Sequence, residues 1–156
     1  MLNKFGYKWR GHIKITTRHL QGHILDVVEF DNLIMTVGLN MLRDLFSGTI
    51  SDGEIKYIAL GTDNTAPAVG QTTLVAEVFR KQETSRSNLG DGILKTIHYI
   101  APDEAIANIR EIGWFAGVDA TLTPDSGIMV SRVLYSRNKT NLESIQIERT
   151  DTIEEA

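Results

Sequence analysis

The chain contains no cysteine and only three prolines in 156 residues. Without cysteine it can form neither a disulfide framework nor a thiolate metal site, and we expect it to mature in a reducing cytoplasm. It also lacks a run of about 20 apolar residues, the length that a membrane-spanning helix needs. Residues 1–14 contain no apolar stretch of the kind found in signal peptides. We therefore expect a soluble product that is not secreted.

Sequence motifs that carry catalysis are also missing. The chain has no Gly-x-Ser-x-Gly nucleophile motif and no Gly-Lys-Ser/Thr phosphate-binding motif. The paired acids at positions 52 and 54, and at 103 and 104, lie beside turn signals, which is typical of surface positions. His19 and His23 have the spacing of helical metal ligands, but Gly22 between them disfavours a helix. We therefore predict a non-enzymatic protein without a metal or other cofactor.

The composition that remains is that of an ordinary folded protein. Hydrophobic residues make up 42% of the chain and charged residues 23%, unlike the composition of a disordered chain. The length predicts one β-rich domain, residues 1–156, with enough chain to bury a core. We expect an extended N-terminal arm at about residues 1–10 and a C-terminal tail at about residues 150–156.

Alternating and β-branched residues predict seven or eight short strands. They cover approximately residues 12–18, 24–30, 55–61, 78–86, 93–101, 109–115, 128–135 and 143–150. The turn signal Gly90-Asp91-Gly92 predicts a long hairpin that joins residues 78–86 to residues 93–101. This pattern predicts a mainly β fold, either an antiparallel β-sandwich or an open barrel.

One segment, about Val37 to Ser47, has the periodicity of an α-helix. Thr36 is predicted to be its N-cap and Gly48 its C-terminal cap. The apolar residues recur at spacings of three and four and are expected to face the core: Leu39, Leu42, Leu45 and Phe46. We therefore predict one main helix packed on a body of strands.

The two ends of the chain differ in charge, although the net charge is only −4. Basic residues precede the first acidic residue, Asp26, and acidic residues close the chain: Lys4, Lys8, Arg10, Lys14 and Arg18 at one end, Asp151, Glu154 and Glu155 at the other. Either the termini are separately solvated, or the basic arm contacts the acidic tail of a neighbouring subunit. In the second case Lys4, Lys8, Trp9 and Arg10 belong to a subunit or partner interface. The acidic balance disfavours nucleic-acid binding.

A seven-residue block, Ile109-Arg110-Glu111-Ile112-Gly113-Trp114-Phe115, places a carboxylate in an apolar strand. Alternation along the strand would bury Glu111, and a buried carboxylate needs a charged partner. We predict structural ion pairs among Glu77, Arg80, Arg110 and Glu111, either inside one subunit or between subunits. Of the two aromatic residues, one is expected in the core and the other, which we assign as Trp114, at an interface.

Several short blocks follow one another in a fixed order. They are Val37-Gly38-Leu39, Ile58-Ala59-Leu60-Gly61-Thr62, Thr72-Thr73-Leu74 with Glu77 and Arg80, and the block from Ile109 to Phe115, followed by Lys139 and the alternating strand from Leu142 to Ile147. In this order, from about residue 33 to residue 149, the chain resembles the collar-type domain at the N-terminus of tailed-phage tail fibres and of related small virion proteins. Trp114 departs from the family pattern, which usually has a smaller aliphatic residue there.

The resemblance implies a structural protein of a tailed-phage virion, located in the tail, collar or baseplate. Such a protein attaches to other virion proteins and forms a homo-oligomer, a trimer or higher, without contact to nucleic acid or membrane. It assembles in the host bacterial cytoplasm and resides in the virion. Two alternatives stay open: a capsid decoration or cement protein, and a small β-sandwich module that binds sugars or peptides.

Overall fold

The computed structural model describes residues 6–156, and these form two five-stranded antiparallel sheets and one α-helix. The elements, in chain order, are β1 (Tyr7–His19), β2 (Ile24–Asp31), β3 (Leu33–Ile34), α1 (Thr36–Phe46), β4 (Ile55–Gly61), β5 (Glu77–Gln82), β6 (Ser85–Gly90), β7 (Ile93–Ile100), β8 (Asn108–Ala116), β9 (Ile128–Asn138) and β10 (Glu143–Glu155). In this part of the chain no helix has both the length and the apolar character needed to cross a membrane.

The strands are divided between two sheets. Sheet A has the strand order β2-β1-β10-β7-β6, and sheet B has the order β3-β9-β8-β4-β5. The sheets do not close into a barrel, and the architecture is consistent with a β-sandwich. The prediction of a mainly β, antiparallel fold with one main helix is therefore confirmed.

The predicted strand at residues 78–86 is wrong as a single element, because the chain changes sheets inside it. The amide of Glu83 donates to the backbone oxygen of Lys56 in β4 (2.8 Å), and the amide of Thr84 donates to that of Ile97 in β7 (2.7 Å). The backbone hydrogen bonds thus pass from sheet B to sheet A within two residues. Only the chain after this change of sheet, β6, forms the expected hairpin with β7. Its turn includes Gly92 at a φ of +69°, a conformation that glycine adopts readily.

The helix begins one residue earlier than predicted and faces the core with a partly different stripe, in which Leu45 packs against the core as predicted. Met35 is its N-cap and Thr36 is its first helical residue. Gly38 and Met41 are buried, whereas Leu39 and Phe46 are exposed. The reason is a close approach to β9: a Cβ atom on Gly38 would lie 3.1 Å from Cα of Val130. The buried stripe therefore starts at a glycine, whose lack of a side chain leaves no hydrophobic signal in the sequence.

The space between the sheets holds the larger hydrophobic core. Alternate residues of β1 and β10 face it from sheet A, and alternate residues of β4, β8 and β9 face it from sheet B. Its fully buried members include Ile13, Ile15, Ile58, Leu60, Ile112, Trp114, Val130, Ile145 and Ile147. Burial of these side chains is the main force that holds the two sheets together.

The outer face of sheet B is also covered, by residues 62–76 and 117–127. A second, smaller core lies there, with Met35, Ala59, Leu74, Phe115, Ala120 and Met129. Because β8 is the central strand of this sheet, it is buried on both faces from Glu111 to Ala116. A register shift between Ile109 and Glu111 turns Ile109 toward the core between the sheets, the same side that Ile112 faces. Simple alternation would have placed Ile109 on the side of Glu111.

The two ends of the chain are strands of sheet A. β1 and β10 pair along their whole length, from Tyr7 opposite Glu155 to His19 opposite Glu143. The pairing of β2 with β1 starts only at His12, and the pairing of β7 with β10 stops at Thr152. We call the projecting part of this pair, residues 7–10 and 152–155, the terminal ribbon. The expected arm and tail are thus hydrogen-bonded to each other over the described residues, rather than extended separately.

Burial of His98 generates a prediction about pH. Its ring lies in β7 with no exposure, and burial lowers the pKa of His98 from its ordinary 6.5 to about 4. Between these values the unfolded chain binds a proton that the folded chain does not, so stability falls as the pH falls. We expect the free energy of unfolding to drop by about 2 kcal/mol from this group between pH 7.5 and 5.

Chemical denaturation of the wild type and of His98→Leu at the two pH values measures this term. The leucine variant cannot take up the proton, so its loss of stability on acidification should be smaller by about that amount. An equal loss in both proteins would mean that His98 is protonated as easily in the folded chain as in the unfolded one.

Candidate functional site

The outer face of sheet B carries an ion pair with no exposure to solvent. Glu111 in β8 and Arg132 in β9 lie on the same face, because Gly113 is opposite Arg132 in the strand register. The guanidinium Nε of Arg132 donates to Oε2 of Glu111 at 2.8 Å, and both side chains are completely buried. Such a pair is costly to desolvate, and it is stable only where further hydrogen bonds satisfy both groups.

Most of those hydrogen bonds come from the chain that covers the sheet, residues 62–76, while Nη2 of Arg132 has no hydrogen-bond partner among the described residues. The amides of Val75 and Ala76 donate to the Glu111 carboxylate at 3.1 and 2.7 Å. Nη1 of Arg132 donates to the backbone oxygen of Thr65 at 2.7 Å. Charged partners strengthen these bonds. The ion pair therefore holds a long loop without regular structure against the sheet.

Two glycines leave room for this arrangement. A Cβ atom on Gly61 would lie 2.3 Å from Oε1 of Glu111 and 2.7 Å from the backbone oxygen of Ala76. A Cβ atom on Gly113 would lie 2.8 Å from Cδ2 of Leu74. All three distances are shorter than the contacts that real Cβ atoms make. The carboxylate and the loop can reach the sheet only because both positions lack one.

A second ion pair holds the other covering loop, residues 117–127. Arg80 and Glu77 in β5 form two parallel hydrogen bonds, Nε to Oε1 at 2.7 Å and Nη2 to Oε2 at 3.0 Å. Nη1 of Arg80 donates to the backbone oxygen of Ser126 at 2.8 Å, and the amide of Asp125 donates to Glu77 at 3.1 Å. The guanidinium also lies 4.0 Å from the centroid of the Phe115 ring. Both charged side chains are almost fully buried.

The four residues expected to form ion pairs are thus divided. Glu77 and Arg80 pair with each other, and Glu111 is buried but pairs with Arg132, which was not among the predicted residues. Arg110 joins neither pair, which corrects its assignment: its side chain donates to the backbone oxygen of Ile109 (2.7 Å) and to Oδ1 of Asn138 (2.9 Å). The physical reason is strand geometry, since neighbouring residues of β8 point to opposite faces of the sheet.

The expected interface residues also have different positions. Trp114 is fully buried between the sheets, and Phe115 is fully buried on the opposite face of β8. The assignment of Trp114 to an interface is therefore corrected: both aromatic residues belong to the cores.

Lys4 lies outside the described residues. Lys8, Trp9 and Arg10 lie in the terminal ribbon, where Nζ of Lys8 is 3.4 Å from a carboxylate oxygen of Glu154 and Arg10 pairs with the same carboxylate.

A third buried ion pair lies at the base of the terminal ribbon, facing the inner core. Arg149 and Asp151 of β10 form two hydrogen bonds of 2.7 Å, and Nε1 of Trp9 donates to the same carboxylate at 2.7 Å. The remaining donor of Arg149 reaches the hydroxyl of Ser131 in sheet B. The guanidinium lies 5.2 Å from the Trp114 ring centroid. This cluster joins the two sheets at one end of the sandwich.

These residues could have been identified from their positions in the strand, because the charged residues lie at the same alternate positions as the apolar ones. Ile145, Ile147, Arg149 and Asp151 occupy alternate positions of β10, so the two charges lie on the face of the apolar residues. Buried charges on such a face require partners. Their identity depends on which strands are neighbours, and one sequence does not provide that information.

The exposed face of sheet A is a ladder of opposite charges. Lys14 in β1 lies between Glu29 in β2 and Glu148 in β10, and Lys95 in β7 is 2.7 Å from Glu148. At the end of this ladder the His12 ring is hydrogen-bonded to the Asp31 carboxylate, which accepts the bond and raises the pKa of His12. A face of this kind is typical of a solvated sheet surface.

An apolar pocket opens at the end of the sandwich, between α1, the β6–β7 hairpin and the terminal ribbon. Its volume is about 560 Å³, within the range of roughly 300–1,000 Å³ that is usual for ligand pockets. Asp151 lies at its wall, and Glu54 and Arg86 contribute further polar groups, 3.2 Å apart. The apolar lining residues include Trp9, Met41, Leu42, Leu45, Ile55 and Ile153. We call this cavity the end pocket.

Within residues 6–156 no three His, Cys, Asp or Glu side chains are close enough together to hold a metal ion. The rings of His19 and His23 stack on each other, with centroids 4.8 Å apart. Comparison of the chain with protein-family models, with curated proteins and with solved structures finds no match. The polar clusters, the terminal ribbon and the end pocket are therefore interpreted from their own geometry.

The Glu111–Arg132 pair predicts a large effect of a small substitution. Glu111→Gln keeps the shape of the side chain but leaves the Arg132 guanidinium buried without its counter-charge. We expect the free energy of unfolding to fall by about 3–5 kcal/mol, as for a broken buried pair. Arg110→Gln, a change of charge on the same strand outside the pair, should cost less than about 1 kcal/mol. Urea denaturation measures both, and comparable losses would show that the pair has no special role.

The close contacts around Gly61 predict a steric effect of substitution, and Gly70 provides the control. Gly61→Ala should destabilise the fold by at least about 2 kcal/mol, because the new methyl group overlaps the Glu111 carboxylate. Gly70→Ala, in the loop that follows, meets nothing within 4 Å and should be neutral or slightly stabilising. Hydrogen exchange of the Val75 and Ala76 amides should accelerate only in the first variant. Equal protection in both variants would contradict this account of the loop.

Proposed function

We propose that this protein is a non-enzymatic structural component of a tailed-phage virion, in the tail, collar or baseplate, and that it acts by symmetric assembly with itself and with other virion proteins. The proposal rests on the resemblance of its ordered sequence blocks to the collar-type domain of tail fibres. It places the protein in the virion, after assembly in the host bacterial cytoplasm.

The observation that carries the proposal is that three of those blocks meet in space. Residues of all three lie together on the outer face of sheet B. The block from Ile58 to Thr62 contributes Gly61, the block that begins at Thr72 contributes Leu74, Glu77 and Arg80, and the block from Ile109 to Phe115 contributes Glu111 and Gly113. They are the residues that hold the two covering loops on the sheet. The blocks therefore have one physical role in this fold, which supports reading them as one shared pattern instead of separate coincidences.

The surface is also compatible with assembly. Several large apolar side chains are strongly exposed, among them Phe46 at 85% and Tyr7 at 80%. Single exposed apolar residues are common, but side chains of this size with so little cover are frequent at protein contacts. These positions lie on α1 and on the terminal ribbon, away from the charged ladder of sheet A.

A second candidate function is a small ligand-binding module, and the end pocket is the observation that favours it. Its volume and apolar lining suit a small molecule or a side chain of another protein. A binding module of this kind would work as a monomer and would be missing from virus particles.

The test is the presence of the protein in virus particles produced by the phage, or by the lysogenic bacterium, that carries its gene. We expect an antibody to detect it in purified particles at a fixed ratio to the other structural proteins. Separation of tails from heads then distinguishes a tail component from a capsid decoration protein. A protein found only in the soluble fraction of the lysate would refute the virion proposal and favour the binding module.

A further inference from the structure

Phe46 is the most exposed large apolar side chain in residues 6–156. It is the last residue of α1. A phenylalanine in water forgoes the burial that normally makes this residue stabilising. Its ring contributes little to the fold of the single chain, so a partner that covers it would have to come from outside.

The end pocket is lined by residues of the same helix, although Phe46 itself is not one of them. Leu42 and Leu45 of α1 form part of its wall. Phe46 follows Leu42 by four residues, a spacing that places both side chains on the same side of a helix. One face of the molecule thus presents an exposed aromatic ring and an apolar cavity next to each other.

Each of the two features carries an ion pair, and the more exposed members of the two pairs have opposite signs. Arg43, three residues before Phe46 on α1, pairs with Asp44 at 2.8 Å, and the arginine side chain is the more exposed of the two at 66%. At the rim of the end pocket Glu54 pairs with Arg86 at 3.2 Å, and there the glutamate side chain is the more exposed at 58%. A second copy that brings its Phe46 to the pocket also brings its Arg43 near Glu54.

We propose that Phe46 of one copy inserts into the end pocket of a second copy, and that the second copy returns the same contact around a two-fold axis. Because ring and cavity lie side by side on one face, the surface is self-complementary, as a two-fold contact requires. The inference rests on the proposed function and adds to it the surface and the partner, a second copy of this chain. A two-fold contact of this kind can also join two trimers into a hexamer.

Two variants of the full chain separate the two halves of the contact. Phe46→Ala removes the ring and keeps the pocket. Ile153→Trp, at a half-exposed position of the pocket wall, fills the pocket and keeps the ring. Leu122→Ala is the matched control, an exposed apolar residue of the loop at residues 117–127 that does not line the end pocket. At a protein concentration low enough for the chain to be monomeric, thermal unfolding should be nearly unchanged for Phe46→Ala and Leu122→Ala, since both side chains are exposed in the single chain.

The experiment is light scattering and sedimentation velocity over a range of protein concentrations. We expect the wild type and Leu122→Ala to self-associate equally. Phe46→Ala alone and Ile153→Trp alone should each associate at least about tenfold more weakly. An equimolar mixture of Phe46→Ala and Ile153→Trp, each with a different fluorescent label, should form mixed pairs. In such a pair the remaining ring of one variant enters the open pocket of the other.

A monomeric wild type, an unchanged association of Phe46→Ala, or a mixture that does not pair would each overturn the inference. None of these results bears on whether the protein is present in virus particles. A protein that is found in particles but does not pair through Phe46 would leave the virion proposal intact and exclude this surface. A protein that pairs through Phe46 but is missing from particles would support this surface and refute the virion proposal.

Discussion

A carboxylate and a guanidinium, both without contact to water, lie on the outer face of sheet B, and that side of the molecule is arranged to satisfy them. Each charge costs several kcal/mol to bury, and the attraction between Glu111 and Arg132 repays this only with further hydrogen bonds. Residues 62–76 supply them from backbone amides and a carbonyl oxygen. This loop in turn covers the second core. Without the pair, the loop would lose its attachment and Leu74 would lose its cover.

The same solution recurs twice more. Arg80 with Glu77 holds the second covering loop, and Arg149 with Asp151 joins the sheets at the end of the sandwich. Each guanidinium uses its several donors to bind backbone or hydroxyl groups as well as its carboxylate. A one-residue slip of any of these strands would move an arginine to the wrong face. The Glu111–Arg132 pair joins two neighbouring strands, so it adds to the apolar alternation that specifies the register of β8 and β9.

These internal contacts separate the parts of the chain that hold the fold from those that are free to meet a partner. The residues that hold the covering loops on sheet B, among them Gly61, Glu111 and Arg132, are buried. The exposed face of sheet A satisfies its charges within the chain. Exposed apolar side chains occur at several places on the surface, and one of these places, around the end of α1 and the end pocket, combines an aromatic ring with a cavity of about 560 Å³. The assembly proposed for this protein places its contact there.

The strands, the single helix and the burial of Glu111 were predictable from the sequence, because they depend on local periodicity: alternation for strands, spacings of three and four for α1, and an acid among apolar residues in β8. The partner of Glu111, the burial of Trp114 and the change of sheet at residues 83 and 84 were not, since each depends on which strands lie side by side. The orientation of α1 was missed because it is set by contact of a glycine with β9. Local periodicity was enough to predict most of the strands and the burial of Glu111, because both depend on residues that are close together in the chain. The tertiary structure decided the pairs and the exposed surface, because contacts between residues far apart in the chain exist only once the sheets have formed.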